Sequence, residues 1–354
     1  MGIEMVCAVF DLSQKMEYKS ILQEFSLELD IYYDYDFLEC DARLMGGTPE
    51  VFVVRNNQEI LLYPYIRLPF LHPGFEAYTD ISSPYGYAGP FTNSTDVSFL
   101  DAAEAEIVAH LRRTETVTEF VRYHYLYNKD YRFRRDIVEE DNRTIVLLPL
   151  NKDWESIWMH DFSSLNRNLN RKMQKEGYLF EEWLDVDAMQ SFFKMYHQTM
   201  ENVNAGEFYF FNLSYFILLQ KRLKDKIKLY RVVKDGDTYA CSLFFFADGI
   251  VTYFLSARNL NFPKVPATNF LLAKMAEIAN KKGMKWMNLG GGNNNDKNNS
   301  LFKFKRNFSS ETANFKIGKR VINPEVYKQL KESYIREKGL PEFEEKKNYL
   351  QFYR

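Results

Sequence analysis

Alternating apolar and polar positions are clearest in the second half of the chain, where they predict a meander of three strands. Its turns, Asp235-Gly236-Asp237 and Asp248-Gly249, are typical of β-hairpins. A helical period follows and ends at Gly283, and a short apolar run predicts one more strand. Because a helical crossover returns the chain in the same direction, this strand should be a parallel neighbour of the antiparallel meander. The predicted strands are 228–233, 238–247, 250–258 and 284–289, and the crossover helix is 267–282.

The remaining periodicity predicts strands at the start of the chain and helices later. Asn56-Asn57 separates two of the strands as a turn, and Asp96 is an N-cap candidate. The segment DISSPYGYAGP, 80–90, is too irregular for a strand. Further predicted strands lie near the N-terminus and at 32–40, 50–55, 59–67 and 116–126, and further helices at 97–113, 163–176, 186–200, 213–223 and 324–338.

Three consecutive glycines, Gly290, Gly291 and Gly292, follow the last strand of the second half. Glycine tolerates positive φ and lets the backbone approach a ligand closely, so this segment is a candidate binding loop. A polar stretch, 293–300, leads to Phe304, Lys305 and Phe308. The alternative interpretation is a mobile surface loop before an ordinary strand.

Composition indicates a globular protein with room for two domains. The 354 residues are 46% hydrophobic and 16% aromatic, with a net charge of -2 and a pI near 6.3, so no global basic field attracts nucleic acid or membrane. The cysteines, Cys7, Cys40 and Cys241, lie far apart and outside any metal-ligand spacing, which indicates a reducing compartment and no structural zinc. The N-terminus lacks the basic region of a signal peptide, and no run is apolar enough to span a membrane. These features predict a cytosolic enzyme or binding protein without stable membrane insertion.

The order of helices, antiparallel strands, crossover helix and parallel strand is the layout of the GNAT acyltransferase fold. In such a sheet, ligands favour the point where strands part at their carboxyl ends. Here that point lies where Tyr253 to Arg258 run beside Asn288 to Gly291.

Several motifs, in this order, resemble the Fem-type (FemABX-like) transferases. They are DISSPYGYAGP at 80–90, FVRYHYLYN at 120–128, the helix and stop at 163–177, NLGGG at 288–292 and FKRNF at 304–308. Each is weak alone, so the combination carries the resemblance, which is better over 163–310 than in the first half.

The resemblance implies an α+β fold with two GNAT-like domains in tandem, each with a mixed sheet. The first domain would occupy 1–150 and the second 151–320, and the helical segment 321–354 would pack back on the first. Typical members transfer an amino acid from aminoacyl-tRNA to an amine of a lipid-linked peptidoglycan precursor, and others acylate an amino sugar of a surface polysaccharide from a thioester.

The donor stays open between aminoacyl-tRNA and acyl-CoA, and no tightly bound cofactor or metal is expected. The connection after Arg258, NLNFPKVPATN, lacks the R-x-x-G-x-G/A loop that binds a pyrophosphate. The chain also lacks the coiled-coil insertion that some Fem proteins use for tRNA. Expected partners are therefore a cell-envelope precursor, met at the inner face of the membrane if lipid-linked, and tRNA if it is the donor. The oligomeric state and the acyl group are not determined.

Amide formation needs deprotonation of an amine, stabilisation of an oxyanion and protonation of a leaving group. Lys305 matches the lysine of the family's F-K-x-x-F motif and is the candidate oxyanion or phosphate ligand; its alternative is a surface lysine packed on Phe304 and Phe308. Asp296 and Tyr253 are the other catalytic candidates.

Candidate substrate-binding residues come from both halves of the chain. Tyr85 and Tyr87 have the alternative of capping the first core, and His124 that of a packed core histidine. The full set is Tyr85, Tyr87, His124, Arg258, Gly290, Gly291, Gly292 and Phe304. A tandem GNAT scaffold that binds a glycan or protein without turnover is the alternative function.

Overall fold

The computed structural model describes residues 5–296 and 298–354, and these form two compact units. Unit 1 comprises the chain up to Leu27, Tyr32–Asn142 and Phe315–Arg354, and unit 2 comprises Glu28–Ile31 and Arg143–Asn314. The predicted fold class, an α+β fold with GNAT-like domains and mixed sheets, is confirmed.

The strands of the described chain are β1 Val6–Phe10, β2 Thr48–Arg55, β3 Ile60–Pro69, β4 Thr79–Ser82, β5 Phe91–Thr92, β6 Thr116–Arg122, β7 Val138–Pro149, β8 Leu179–Glu182, β9 Ile227–Lys234, β10 Asp237–Ala247, β11 Ile250–Arg258, β12 Trp286–Gly291 and β13 Thr312–Val321. The helices are α1 Lys15–Glu24, α2 Tyr35–Met45, α3 Val97–Arg113, α4 Trp154–Ser156, which continues as a π-helical turn Ile157–Asp161, α5 Ser164–Lys175, α6 Ala188–Asn202, α7 Leu213–Leu223, α8 Ala267–Lys281, α9 Ser300–Arg306, α10 Pro324–Lys338 and α11 Leu340–Lys346. None of the described helices is long and apolar enough to cross a membrane.

Unit 1 is a mixed sheet with strand order β1-β2-β3-β4-β6-β13, and β5 pairs with β3. The β4–β6 pair is parallel because α3 crosses between the two strands. Helix α3 begins at the predicted cap, where Asp96 Oδ1 accepts from Ser98 N at 2.8 Å. It packs Phe99, Ala103 and Ile107 into the core of the unit.

Residues 32–40, predicted as a strand, are helical, and this prediction is wrong. The Asp34 carboxylate caps α2 by accepting from Asp36 N at 2.8 Å, and Gly46 ends it at φ +70°. The helix buries most of its circumference, including Phe37 and Cys40. A short apolar run of this kind does not distinguish a buried helix from a strand, so only the caps indicated the helix.

The C-terminal residues bind β3 and β4 within unit 1. Arg354 donates to Asp80 Oδ2 at 2.8 Å and to Leu68 O at 2.9 Å, and Tyr353 Oη donates to Asp80 Oδ1 at 3.1 Å. Burial raises the pKa of the Asp80 carboxyl, although Arg354 opposes this. The tail thus supplies the polar partners of a buried acid.

Unit 2 has strand order β7-β12-β11-β10-β9-β8. The meander β9-β10-β11 is antiparallel, and β12 joins β11 in parallel after α8, as predicted. Its hairpin residues Asp235 and Asp248 take positive φ, each followed by a glycine that does the same. The core lies where α5 and α8 pack on the sheet, around Phe244, Phe270 and Met287.

Candidate functional site

Strands β11 and β12 part after only three rungs of parallel pairing. The last rung joins Thr252 to Asn288. Two register shifts adjoin it, one in β10–β11 between Leu243 and Phe244 and one in β12–β7 between Asn288 and Gly290. Bulges bend and twist strands, so these irregularities direct the two strand ends apart. The split lies where the sequence predicted it.

The glycine segment is held in a defined conformation at this split. Gly290 has φ +72°, and its amide donates to Asn288 Oδ1 at 2.8 Å. A Cβ on Gly291 would lie 2.8 Å from Thr144 O, and one on Gly292 would lie 2.7 Å from Asn299 Oδ1. Larger residues therefore do not fit here without displacing their neighbours.

Lys305 reaches this segment from α9, which the sequence did not predict as a helix. The Asn299 side chain caps α9 by accepting from the amides of Leu301 and Phe302. Lys305 Nζ donates to Gly291 O at 2.8 Å, and the same nitrogen lies 5.8 Å from the centroid of the Tyr253 ring. The ammonium thus contacts a carbonyl of the glycine segment.

The environment of Lys305 disfavours its charged form. The residue is 7% exposed, and burial together with the nearby Arg143 guanidinium lowers the pKa of its ammonium to about 7. Such a lysine changes charge near neutral pH. Strong pKa perturbation by burial and a specific neighbour is typical of functional sites.

Arg143 is a member of this site that the sequence analysis missed. It lies in β7, and its Nη1 donates to Gly292 O at 3.2 Å. Within residues 5–296 and 298–354, neither Arg143 nor Lys305 forms an ion pair with a carboxylate. The only sequence signal was a lone arginine after a run of acidic residues, which by itself indicates nothing.

The ring of Tyr253 lies beneath the Lys305 ammonium, 5.8 Å from Nζ at its centroid. Burial raises the pKa of this phenol. The phenol therefore keeps its proton at neutral pH and is available as a donor. This position agrees with its choice as an acid-base candidate, which stays a prediction.

The aromatic residues beside Lys305 anchor α9. Phe308 is buried and meets Phe162 edge-on at 5.3 Å and Phe304 at 5.7 Å between ring centroids. Phe304 is partly buried against the same core. The proposed contact of Phe304 with substrate stays a prediction.

Asp296 and Arg258 have no described contact with Lys305, and their roles stay predictions. Asp296 is exposed and accepts from Asn298 N at 2.8 Å, so it shapes a turn. Arg258 is also exposed, and its amide donates to Thr199 Oγ1 at 3.2 Å. In the described part of the chain, Lys305 contacts Gly291 and Tyr253 and is not seen to contact Asp296 or Arg258.

His124 lies in the interior of unit 1. It is 1% exposed, and its Nδ1 accepts from the amides of Leu126 and Tyr127, both at 3.2 Å. Its ring stacks on Tyr125 at 4.5 Å and on Tyr127 at 4.1 Å. His124 is thus packed in the core of unit 1, and its role in substrate binding stays a prediction.

Tyr85 and Tyr87 are half-buried in unit 1. The Tyr87 ring meets Tyr125 edge-on at 5.0 Å and Phe315 at 4.9 Å. The Tyr85 amide donates to the Asp41 carboxylate. Tyr87 thus contacts Tyr125, which stacks on His124, and the role of both tyrosines in substrate binding stays a prediction.

The part of the chain that holds Tyr253, the glycine segment and Lys305 matches a known family. Residues 232–331, which include the parting strands, the glycine segment and α9, match the model of the FemAB family. The Fem-type resemblance is confirmed. The predicted enzyme class, an acyltransferase, is confirmed with it. No curated protein matches the sequence.

Solved structures share the fold over most of the chain. FemX superposes with a TM-score of 0.70 at 14% identity, covering 91% of this chain and 99% of FemX. L-PGS from Bacillus licheniformis superposes with a TM-score of 0.56 at 11% identity, covering 86% of this chain and 91% of L-PGS. A tandem GNAT protein from the clavulanic acid biosynthesis pathway superposes with a TM-score of 0.51 at 10% identity, covering 91% of this chain and 99% of that protein. At these identities the likeness establishes the fold alone.

Replacing Gly290 by alanine should lower turnover by about tenfold and stability by about 1 kcal/mol. The new Cβ would lie 3.1 Å from Lys305 Nζ, at a φ of +72° that strains any side chain. Gly236→Ala is the matched control, because Gly236 has φ +87° and a Cβ added there would meet no atom within 4 Å. Steady-state kinetics and thermal melts should show similar losses of stability and a loss of turnover only for Gly290→Ala. Equal turnover of the two variants would contradict the expectation.

Proposed function

We propose that this protein forms an amide bond by transferring an acyl or aminoacyl group from an activated ester or thioester to an amine of a cell-envelope precursor. The acceptor is a peptidoglycan stem peptide or an amino sugar of a surface polysaccharide. The observation that carries the proposal is the buried ammonium of Lys305, held on the Gly291 carbonyl where β11 and β12 part. The FemAB family match over the same residues supports it.

The residues of the cluster have the chemistry that this reaction needs. The acceptor nitrogen attacks the donor carbonyl carbon, and negative charge develops on the carbonyl oxygen. Lys305, with only one described hydrogen bond from its ammonium, has further hydrogens to donate to that oxygen. As the C–N bond forms, the acceptor nitrogen loses its extra proton to solvent, and the carbonyl re-forms as the bond to the leaving oxygen or sulfur breaks. Tyr253, whose pKa is raised by burial, holds its proton at neutral pH, gives it to that leaving atom and regains one from solvent.

A cation in a low-dielectric site stabilises an oxyanion more than the same cation does in water. Lys305 is almost completely buried, so it meets this condition. The groups of the site need no covalent intermediate, since the amine itself is the nucleophile. We propose that the reaction takes place in the cytoplasm, and at the inner face of the membrane when the acceptor is lipid-linked.

The pH dependence should be bell-shaped, with Lys305 responsible for its alkaline limb. The ammonium is charged below its pKa of about 7 and loses its charge as the pH rises through that value, so its stabilisation of an oxyanion is lost there. The acceptor amine must lose a proton, which gives the acidic limb. Lys305→Arg should retain a charged side chain and lack the alkaline limb. Profiles of kcat/KM for both proteins test this, and a shared alkaline limb would exclude Lys305 as its source.

Product formation tests the proposal directly. The wild-type protein is incubated with a mixture of aminoacyl-tRNAs or of acyl-CoAs, in separate reactions, together with peptidoglycan precursors and amino sugars. Mass spectrometry should detect an acceptor whose mass has risen by one acyl or aminoacyl group, with matching loss of donor. An acceptor that binds but is never modified, with no donor consumed, would instead indicate the non-catalytic scaffold.

A further inference from the structure

Two cations hold consecutive carbonyl groups of the glycine segment. Lys305 Nζ donates to Gly291 O at 2.8 Å, and Arg143 Nη1 donates to Gly292 O at 3.2 Å. One comes from α9 and the other from β7, so the fold brings them together from distant parts of the sequence. The glycine segment therefore positions both cations at the split of β11 and β12.

The positive charges of Arg143 and Lys305 repel each other. Arg143 is near enough to lower the pKa of Lys305, and neither cation forms an ion pair with a carboxylate among the residues whose placement is described. Like charges in a buried site oppose folding. An anion bound beside them would offset this cost. The arrangement is typical of a site prepared for a negatively charged ligand.

Both candidate donors carry phosphate esters. The loop before α8, where the glycine motif of acyl-CoA-dependent GNAT proteins would bind a pyrophosphate, lacks that motif here. The connection before α8, residues 259–266, contains no glycine. The N-cap of α8 is Pro266, which has no amide hydrogen and makes no side-chain cap. A phosphate therefore lacks a glycine-rich backbone cradle at this helix and needs side-chain cations instead.

We infer that Arg143 is a donor-binding residue, whose guanidinium binds a phosphate ester group of the acyl donor beside Lys305. This inference rests on the proposed function for its reaction, and it assigns a separate role to a separate residue. The planar guanidinium presents several N–H groups and uses one of them on Gly292 O, so it can hold two phosphate oxygens. The bound anion also favours the charged form of Lys305, and thereby keeps the oxyanion ligand protonated during turnover.

The test measures binding of four probes to the whole protein by titration calorimetry. Coenzyme A and a short RNA ending in CCA carry the phosphates of the two donors, and pantetheine and adenosine are their phosphate-free counterparts. The wild type should bind at least one phosphate-bearing probe more tightly than its counterpart, and that probe identifies the donor. Arg143→Gln should weaken its binding by about tenfold or more and leave the phosphate-free probe unchanged.

Two further variants separate charge from structure. Arg171→Gln removes an exposed arginine of α5 and should bind like the wild type. Arg143→Lys keeps the charge without the planar fork and should lie between wild type and Arg143→Gln, which keeps the test decisive if Arg143→Gln is unstable. Removing Arg143 should also raise the pKa of Lys305 and shift the alkaline limb of kcat/KM to higher pH.

The outcomes distinguish this inference from the proposed function. Three results would overturn the inference, even if product forms. The first is that Arg143→Gln and Arg143→Lys bind the phosphate-bearing probes as tightly as the wild type does, and the second is that the variants lose as much affinity for the phosphate-free probes as for the phosphate-bearing ones. The third is that the wild type binds neither phosphate-bearing probe. Phosphate-dependent binding that is lost in Arg143→Gln supports it, even if no product is found and the proposed transfer reaction fails.

Discussion

Lys305→Ala should lower kcat and kcat/KM alike by about 100-fold or more, the usual effect of losing an oxyanion ligand. The Lys305 side chain places a buried ammonium beside the Gly291 carbonyl and the Tyr253 ring, and alanine removes this ammonium. Loss of an interaction made only in the transition state affects both constants equally. Single-turnover and steady-state kinetics with the donor and acceptor found by mass spectrometry measure the effect.

Lys305→Met is the matched variant for this experiment, because it keeps most of the volume and removes the charge. Burial lowers the pKa of Lys305 to about 7, so the ammonium destabilises the folded state increasingly as the pH falls below the unfolded value. Lys305→Met should therefore lose turnover but have a melting temperature at least as high as that of the wild type. Its advantage in melting temperature should grow as the pH is lowered. Full turnover in a folded Lys305→Met protein would remove Lys305 from the mechanism.

Arg320→Met should destabilise the protein by about 3–5 kcal/mol, because it leaves buried acids of unit 1 without their cation. Arg320 in β13 is 1% exposed at its side chain and donates to Glu104 at 2.7 Å; its Nε lies 3.2 Å from Glu119 Oε2. Glu104 also accepts from the amides of Arg134 and Arg135, so the network ties α3 to the loop between β6 and β7. Chemical denaturation measures the change in free energy of unfolding.

The defect of Arg320→Met should depend on pH. Burial raises the pKa of the Glu119 carboxyl, although Arg320 opposes the shift. Without Arg320 that pKa rises further, so the contribution of Glu119 to stability is present at low pH and is lost as the pH rises through its folded value. The variant should thus approach the wild type in acid and fall behind it at neutral pH, and Glu119→Gln in the same background should remove this dependence.

Lys319→Met is the control for the loss of one positive charge. Lys319 precedes Arg320 on the same strand and pairs with Glu140, which is 45% exposed at its side chain. An exposed pair of this kind contributes less than about 1 kcal/mol. If Lys319→Met and Arg320→Met were equally stable, the buried network would not be the source of the predicted effect.

Sequence patterns predicted the elements whose signals are local. Helix α3 and helix α7 have the predicted ends, and the meander of unit 2 follows its aspartate-glycine turns. A cap, a turn residue or a period acts within a few residues of chain, so a single sequence contains the whole signal. The family resemblance rested on the same kind of short motif.

Several elements escaped prediction because their signals are weak or ambiguous. Strands β7 and β13 begin with charged and polar residues that resemble loops, and α9 is short and follows a polar stretch. The predicted strand 116–126 ends earlier, at Arg122, because Asn128 Oδ1 accepts from His124 N at 2.7 Å and turns the chain. This hydrogen bond is local, but nothing in the residue order requires it.

The sequence and its family resemblance correctly predicted a GNAT-like mixed fold and β12 as a parallel neighbour of β11. The sequence also singled out Lys305 and the glycine segment as candidates for chemistry, which stays a prediction. Only the tertiary structure decided that Lys305 is buried on Gly291 O and that Arg143 is its neighbour. It also decided that His124 packs in an aromatic layer. The reason is physical: burial and the charge of a neighbour set the pKa of a side chain, and both depend on contacts between residues far apart in the chain.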